Sequence, residues 1–171
     1  LRCFDDPNIV HVDGSVDPVR DKEVIDTELQ LKDLETIENR ISKVAKQAQT
    51  GGDKAAKKMY EVLVKYKAAL DQGKSARTVT FDNPEDIKIA KELMLLTSKP
   101  VMYVCNVDEN SAKDGNEYVE RVREAVKDEN AEILVIAAKI ESEIAELESF
   151  EERKMFLEEI GLEKSGVERL I

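Results

Sequence analysis

The stretch Pro100-Val101-Met102-Tyr103-Val104-Cys105-Asn106-Val107-Asp108-Glu109 decides the fold. Its short, nearly unbroken apolar run suits a strand buried on both faces, as in a parallel sheet covered by helices. The run ends in a polar corner, Asn106 to Glu109, and ligands of such sheets bind just beyond the carboxyl ends of the strands. An Asn and an Asp also make a simple turn. A second short apolar run, Ile133-Leu134-Val135-Ile136-Ala137, leads into Ala138-Lys139. Between the two, Tyr118, Val119, Val122 and Val126 fall at helical spacing. Strand, helix and strand at this distance predict a right-handed βαβ unit with parallel strands. Parallel strands bring Asn106–Glu109 and Ala137–Lys139 to the same sheet edge.

The 171 residues suffice for one domain with a core, or a small domain plus an insertion. Charged residues make up 37%, aromatics 5%, and Trp is absent, which favours long solvated helices over a large β-sandwich. A net charge of −11 argues against general duplex binding, which needs clustered Lys and Arg. Cys3 and Cys105 are far apart in sequence, so a disulfide scaffold is not expected and a reducing cytoplasm fits. No apolar run approaches the roughly 18 to 20 residues of a membrane helix. The opening Leu1-Arg2-Cys3-Phe4 has strand character and no Met, and leads to the expectation of an internal segment of a longer protein.

The helical part precedes the sheet. Ile9 to Val12 read as a short extended run ending at Asp13-Gly14, with His11, the single histidine, expected to be packed or exposed rather than catalytic. Asp17-Pro18 opens a long helix, Asp17 as cap and Pro18 in the first turn. Leu34, Ile37, Ile41, Val44 and Ala48 follow a three-four spacing, one seam of a coiled coil. Thr50-Gly51-Gly52-Asp53 breaks the helix, and a second one carries Met59, Val62, Leu63, Tyr66, Ala69 and Leu70. The pair predicts an antiparallel hairpin. At roughly 45 to 50 Å for the first helix, it is expected to project outward. Its tip, residues 39–58, holds Arg40, Lys43, Lys46, Lys54, Lys57 and Lys58 against the single acid Asp53. That is a net +5, against −16 for the rest of the chain, and it points to an anionic partner such as RNA or the ribosome. Ser75 to Phe81 read as a β-prone return. A further helix starts at Asn83-Pro84-Glu85, with Ile87, Ala90, Leu93, Met94 and Leu96 at helical spacing.

Several chemistries are excluded for the residues present. The sequence contains neither Gly-x-x-x-x-Gly-Lys-[Ser/Thr] nor Gly-x-Gly-x-x-Gly. One His and no Cys pair at ligand spacing leave no zinc site, and no Ser-His-Asp or Cys-His set is credible. No catalytic or metal-ligating residue is therefore assigned. The paired corner remains. An Asn amide offers both a donor and an acceptor to a purine edge, and a Lys stem can cover the ring face.

Arg2-Cys3-Phe4, Asn8 to Val12, Val16 to Asp21, Glu23 to Leu29, Leu95 to Val101, Asn106 to Glu109 and Ala138 to Glu141 together resemble the YchF-type, Obg-like ATPases of the translation-factor GTPase class. The resemblance covers essentially the whole chain. It implies part of a P-loop NTPase domain, an α/β fold whose parallel sheet is interrupted by the projecting hairpin. Residues 1–20 and 76–171 would belong to the nucleotide domain, and 21–75 to the insert. It also implies ATP in preference to GTP, because the base-reading motif is Asn-x-x-Glu. Guanine offers N1–H and an exocyclic amine to a well-placed Asp, and Glu109 moves that carboxylate by a methylene. Asn106 and the backbone around Val107 would contact the base, with Ala138 and Lys139 closing over it.

In P-loop GTPases the Asn-x-x-Asp motif is followed on the next strand by Ser-Ala-Lys, and Ala137 departs from that Ser. The phosphate loop and Mg²⁺ ligands of the resemblance would lie before Leu1, and a TGS domain after Ile171. These residues alone are then expected not to hydrolyse ATP, since phosphate positioning and a metal are both required. The competing expectation is a non-enzymatic module docking on RNA or the ribosome through the hairpin tip. An uncovered sheet edge also predicts self-association.

Overall fold

The computed structural model describes residues 1–12, 14–49 and 53–170. The expected break at Thr50-Gly51-Gly52 lies outside these residues, as do Asp13 and Ile171. The chain divides into two compact units, Glu23–Pro100 and Leu1–Lys22 with Val101–Ile171. Among the described residues no helix is long and apolar enough to cross a membrane.

Helix α1 spans Pro18–Gln49. Asp17 caps it by accepting from the backbone N–H groups of Val19 and Arg20 at 3.1 and 3.2 Å. The Arg20 N–H, then the Arg121 guanidinium at 2.8 Å, hold the Asp17 carboxyl below the usual carboxylate range. Helix α2, Lys54–Leu70, starts on Asp53, which accepts from the Ala56 N–H at 3.0 Å. Lys67 meets Glu38 at 2.7 Å, and Gln30 meets Ser75 at 3.4 Å. One partner number falls as the other rises, so α1 and α2 run antiparallel. Ile37 on α1 is buried against Val62, Leu63, Tyr66 and Leu70, with Leu34, Ile41 and Val44 packed around them. Burial of each such aliphatic side chain contributes roughly 1.5–3 kcal/mol.

Residues 76–100 pack on these helices, since Ala76, Leu93 and Leu95 share the same core. Ser75 to Phe81, expected to be β-prone, instead contains a 3-10 turn over Ala76–Thr78. The Ala76 N–H donates to Thr97 Oγ1 at 2.8 Å, and Arg77 donates to the Thr97 carbonyl at 3.2 Å, so this backbone pairs with a loop rather than a strand. Helix α3, Pro84–Glu92, ends earlier than the Leu93–Leu96 periodicity suggests. Met94 takes a left-handed φ of 54°. Asp33 of α1 then draws the next residues away from the helix. Only 2% exposed, it accepts from the Leu96 N–H, the Thr97 N–H and Thr97 Oγ1, all at 2.7 Å.

In the other unit, strands β1 (Met102–Asn106) and β2 (Glu132–Ile136) pair in parallel from Met102↔Glu132 to Asn106↔Ile136. The second strand thus begins and ends one residue before the expected run. Arg2 bridges Asn106 in parallel on the other side of β1. The Asn106 N–H donates to the Leu1 carbonyl at 2.9 Å, and the Cys3 N–H to the Asn106 carbonyl at 2.7 Å. Helix α4, Glu117–Val126, connects the two strands and buries Val119, Val122 and Val126 on the face carrying Tyr103, Cys105 and Val135. Burial on both faces of β1 is not observed: Met102 is 44% exposed, because the helices of this unit cover the alternate positions. Cys3 and Cys105, distant in sequence, are both fully buried. Their mutual hydrogen bond, with burial, pushes the Cys3 thiol up. Ile9 to Val12 do not form a strand: the Ile9 N–H closes a turn on the Asp6 carbonyl at 3.1 Å, and Val10 and Val12 are exposed.

Helices α5 (Ala138–Glu146), α6 (Phe150–Glu159) and α7 (Gly166–Leu170) complete this unit. The free edge of β2 is partly covered by α7. Arg169 donates to the Val135 carbonyl at 2.6 Å, and Gly166 packs so closely that a Cβ there would lie 2.6 Å from Ile136 Cγ2. The fold is α/β and mostly helical, with a small parallel sheet in this unit.

Replacing Asp33 with Ala strands buried donors of the 96–97 segment, so stability should fall by about 2–4 kcal/mol in denaturant unfolding. A loss below about 0.5 kcal/mol, the range of a neutral surface change, would remove Asp33 from this role.

Candidate base-recognition site

The corner after β1 is built by backbone geometry first. Asn106 is the last residue of β1, and its side chain crosses to the start of α5. Its Oδ1 accepts from the Ala138 N–H at 2.9 Å. The first N–H groups of a helix lack intrahelical acceptors, and a capping side chain normally supplies one. Ala137, at the N-cap position of α5, makes no side-chain cap. Asn106 performs that service from the neighbouring strand. This contact also fixes which way the amide is turned, leaving Nδ2 as its remaining donor.

Val107 continues the pairing. Its N–H donates to the Ile136 carbonyl at 2.8 Å, and its side chain is buried. Asp108 caps the turn Glu109–Ser111, accepting from the Ser111 N–H at 3.1 Å and from Ser111 Oγ at 2.9 Å. The turn places Glu109 outward, where its carboxylate forms an ion pair with the Lys139 ammonium. Hydrogen bonding to Glu109, then its charge, raises the Lys139 pKa. Asn106, Val107, Glu109, Ala138 and Lys139 are therefore brought to one edge of the sheet. Ala138 and Lys139 are exposed, and Asn106 is half-buried.

Several supporting residues were not singled out from the sequence. Asn116 caps α4 through the Val119 N–H at 3.2 Å, and its Nδ2 donates to the Cys3 carbonyl at 2.8 Å. It ties the polar loop to the Leu1–Cys3 segment beside β1. Glu141 accepts from the Gly166 N–H at 2.6 Å and anchors α7 beside β2. Ser165-x-x-Glu168 and Ser149-x-x-Glu152 were legible as capping boxes, and both form. Glu141 and Asn116 carried no local signal, because their partners are distant in sequence. His11 lies 3.0 Å from Asp21 and is not part of this corner.

The basic residues of the hairpin sit on α1 (Arg40, Lys43, Lys46) and α2 (Lys54, Lys57, Lys58). Arg40, Lys43, Lys46, Lys54 and Lys57 are exposed. Lys58 differs: half-buried, it pairs with Asp86 of α3 at 3.2 Å, which cancels part of its charge. Among the described residues no group of three or more His, Cys, Asp or Glu could hold a metal ion.

No family model matches the chain. It is 51% identical over 173 residues to the ribosome-binding ATPase YchF of Bacillus subtilis (strain 168), covering 100% of this chain and 46% of that protein. To Obg-like ATPase 1 of Rattus norvegicus it is 38% identical over 174 residues, covering 99% of this chain and 43% of that one. Among solved structures, the Schizosaccharomyces pombe YchF GTPase superposes with a TM-score of 0.85 at 26% identity, over 99% of this chain and 46% of its own. The chain thus spans less than half the length of these relatives.

If Asn106 is the cap of α5, Asn106→Ala should speed hydrogen exchange at the Ala138 amide by about tenfold, the equivalent of one lost hydrogen bond. The Val107 amide, bonded to Ile136, should change little. Equal acceleration of both amides, or of neither, would contradict the assignment.

Proposed function

We propose, from the membership of this chain over its whole length in the YchF and Obg-like ATPase family, that it carries the base-reading corner of a ribosome-associated P-loop NTPase that binds and hydrolyses ATP. The single observation that carries the reading is the Asn106–Ala138 hydrogen bond joining the two motif strands. With Oδ1 engaged, Nδ2 is the group left to donate to a purine N7, an acceptor present in both adenine and guanine. Discrimination must then come from the rest of the edge. The Ala138 N–H already has an acceptor, so it is not offered to a guanine O6. The Val107 N–H is likewise engaged with Ile136. That leaves its carbonyl as the backbone group suited to the exocyclic amine of adenine. Glu109, held by Lys139, is a poor partner for guanine N1–H.

Hydrolysis belongs to the whole protein, where phosphates and Mg²⁺ are held together. In this reading 1–20 and 76–171 serve the nucleotide and 21–75 forms the partner-binding hairpin, although 76–100 shares the hairpin's hydrophobic core. The cellular place of such a protein is the cytoplasm. Shortening the acid by one methylene tests the base reading. In the full-length protein, Glu109→Asp should raise GTP affinity relative to ATP by about tenfold, the scale of one gained charged hydrogen bond. An unchanged ratio in calorimetric titration removes Glu109 from the specificity argument.

A second reading is favoured by the exposed Arg40, Lys43, Lys54 and Lys57: the hairpin tip docks on RNA of the ribosome. Reversing Lys43, Lys54 and Lys57 to Glu should weaken ribosome binding at least about tenfold and flatten its salt dependence. ATP affinity should remain within about twofold, as the reversed charges are not among the residues of the base corner. Unaltered ribosome binding rejects the tip as the contact.

A further inference from the structure

Besides the Asn106–Ala138 hydrogen bond, the Lys139–Glu109 ion pair joins the outer lips of the corner. Both side chains are largely in solvent, at 73% and 47% exposure, so the pair is not a buried structural bridge. Its elements are already secured by other contacts, Asn106 to Ala138 and Asp108 to Ser111. The ion pair is therefore redundant for the fold. What it does control is the electrostatic state of the Glu109 carboxylate. A free carboxylate there would attract the N1–H and exocyclic amine of guanine, two adjacent donors. Adenine offers an unprotonated N1 beside a single amine, and gains less from the same group.

We propose that Lys139 sets the base preference by keeping the Glu109 carboxylate partnered, so that guanine meets an acid already occupied. The inference rests on the base-corner reading above and assigns Lys139 a specificity role beyond covering the ring with its stem. The raised pKa of Lys139 accords with a standing partnership with Glu109. Exposed pairs are weak, so the effect is bounded: a shift of about two- to fivefold in the ATP-to-GTP affinity ratio. Salt screens such a pair, and ATP and GTP carry the same phosphate charge. Their ratio therefore reports the lip and cancels the general effect of ionic strength on the phosphates.

The test is made on the full-length protein, with ATP and GTP affinities measured by calorimetry at low and high salt. Lys139→Met keeps the apolar stem and removes the ammonium. It should move the ratio toward GTP by about two- to fivefold, and the salt dependence of the ratio seen in the parent protein should disappear. Lys139→Met combined with Glu109→Gln should restore the parental ratio, because no carboxylate remains to be released. A ratio unmoved by Lys139→Met overturns the proposal. So does an equal loss of both nucleotides, which would make Lys139 a simple cover for the ring. In both cases the base-corner reading survives. It fails separately if Asn106→Ala leaves both affinities untouched.

Discussion

One hydrogen bond organises the corner beyond the two strands: Asn106 Oδ1 accepting from the Ala138 N–H at 2.9 Å. A parallel sheet brings the carboxyl ends of its strands together, but it does not by itself fix the loops beyond them. Here a side chain at the end of β1 supplies the helix cap that Ala137 cannot, and so ties the two motif segments into one lip. The bond also orients the amide and engages the Ala138 N–H. Both consequences bear on which purine edge is complementary. The same atoms thus serve helix capping and strand-end alignment, and in the proposed reading they also face the base.

The helical unit is held by a different device. Asp33, buried in α1, gathers the backbone of Leu96 and Thr97, and Thr97 in turn holds Ala76. Three chain segments far apart in sequence meet at one carboxylate. The hydrophobic seam of Leu34, Ile37 and Ile41 supplies the bulk of the cohesion, whereas Asp33 specifies where the returning chain docks. The basic residues lie away from this carboxylate in sequence, on the last turns of α1 and the first of α2. That separation lets charge be presented at one end of the hairpin without disturbing the clamp.

Much of this was readable from residue patterns. The two apolar runs gave parallel strands, with β2 one residue earlier than expected. Asp17 and Asp53 became helix caps, and Asn83 starts and caps α3. The misreadings share a cause. Ser75 to Phe81 has β-favouring residues, yet the Ala76 N–H donates to Thr97 Oγ1 and Thr78 and Val79 close a 3-10 turn on Ser75 and Ala76, so no strand forms. Leu93 and Leu96 keep helical spacing, but Asp33 captures the Leu96 and Thr97 N–H groups and the helix stops at Glu92. Lys58 counted as a tip charge until α3 placed Asp86 beside it. In each case a side chain distant in sequence overrode a local preference. The βαβ spacing brought Asn106, Glu109 and Lys139 to one sheet edge. The Glu109–Lys139 pairing followed only from the turn that Asp108 caps.

The central claim is that Asn106 and its neighbours meet the base of an adenine nucleotide. The most direct measurement is the NMR spectrum of the side-chain amide of Asn106 and the backbone amides of Glu109, Ala138 and Lys139 during titration with ATP. The account predicts that the Asn106 Nδ2 protons move downfield as they gain an acceptor, with smaller shifts at Glu109 and Lys139. An ATP titration that saturates while these four residues stay unmoved would contradict it.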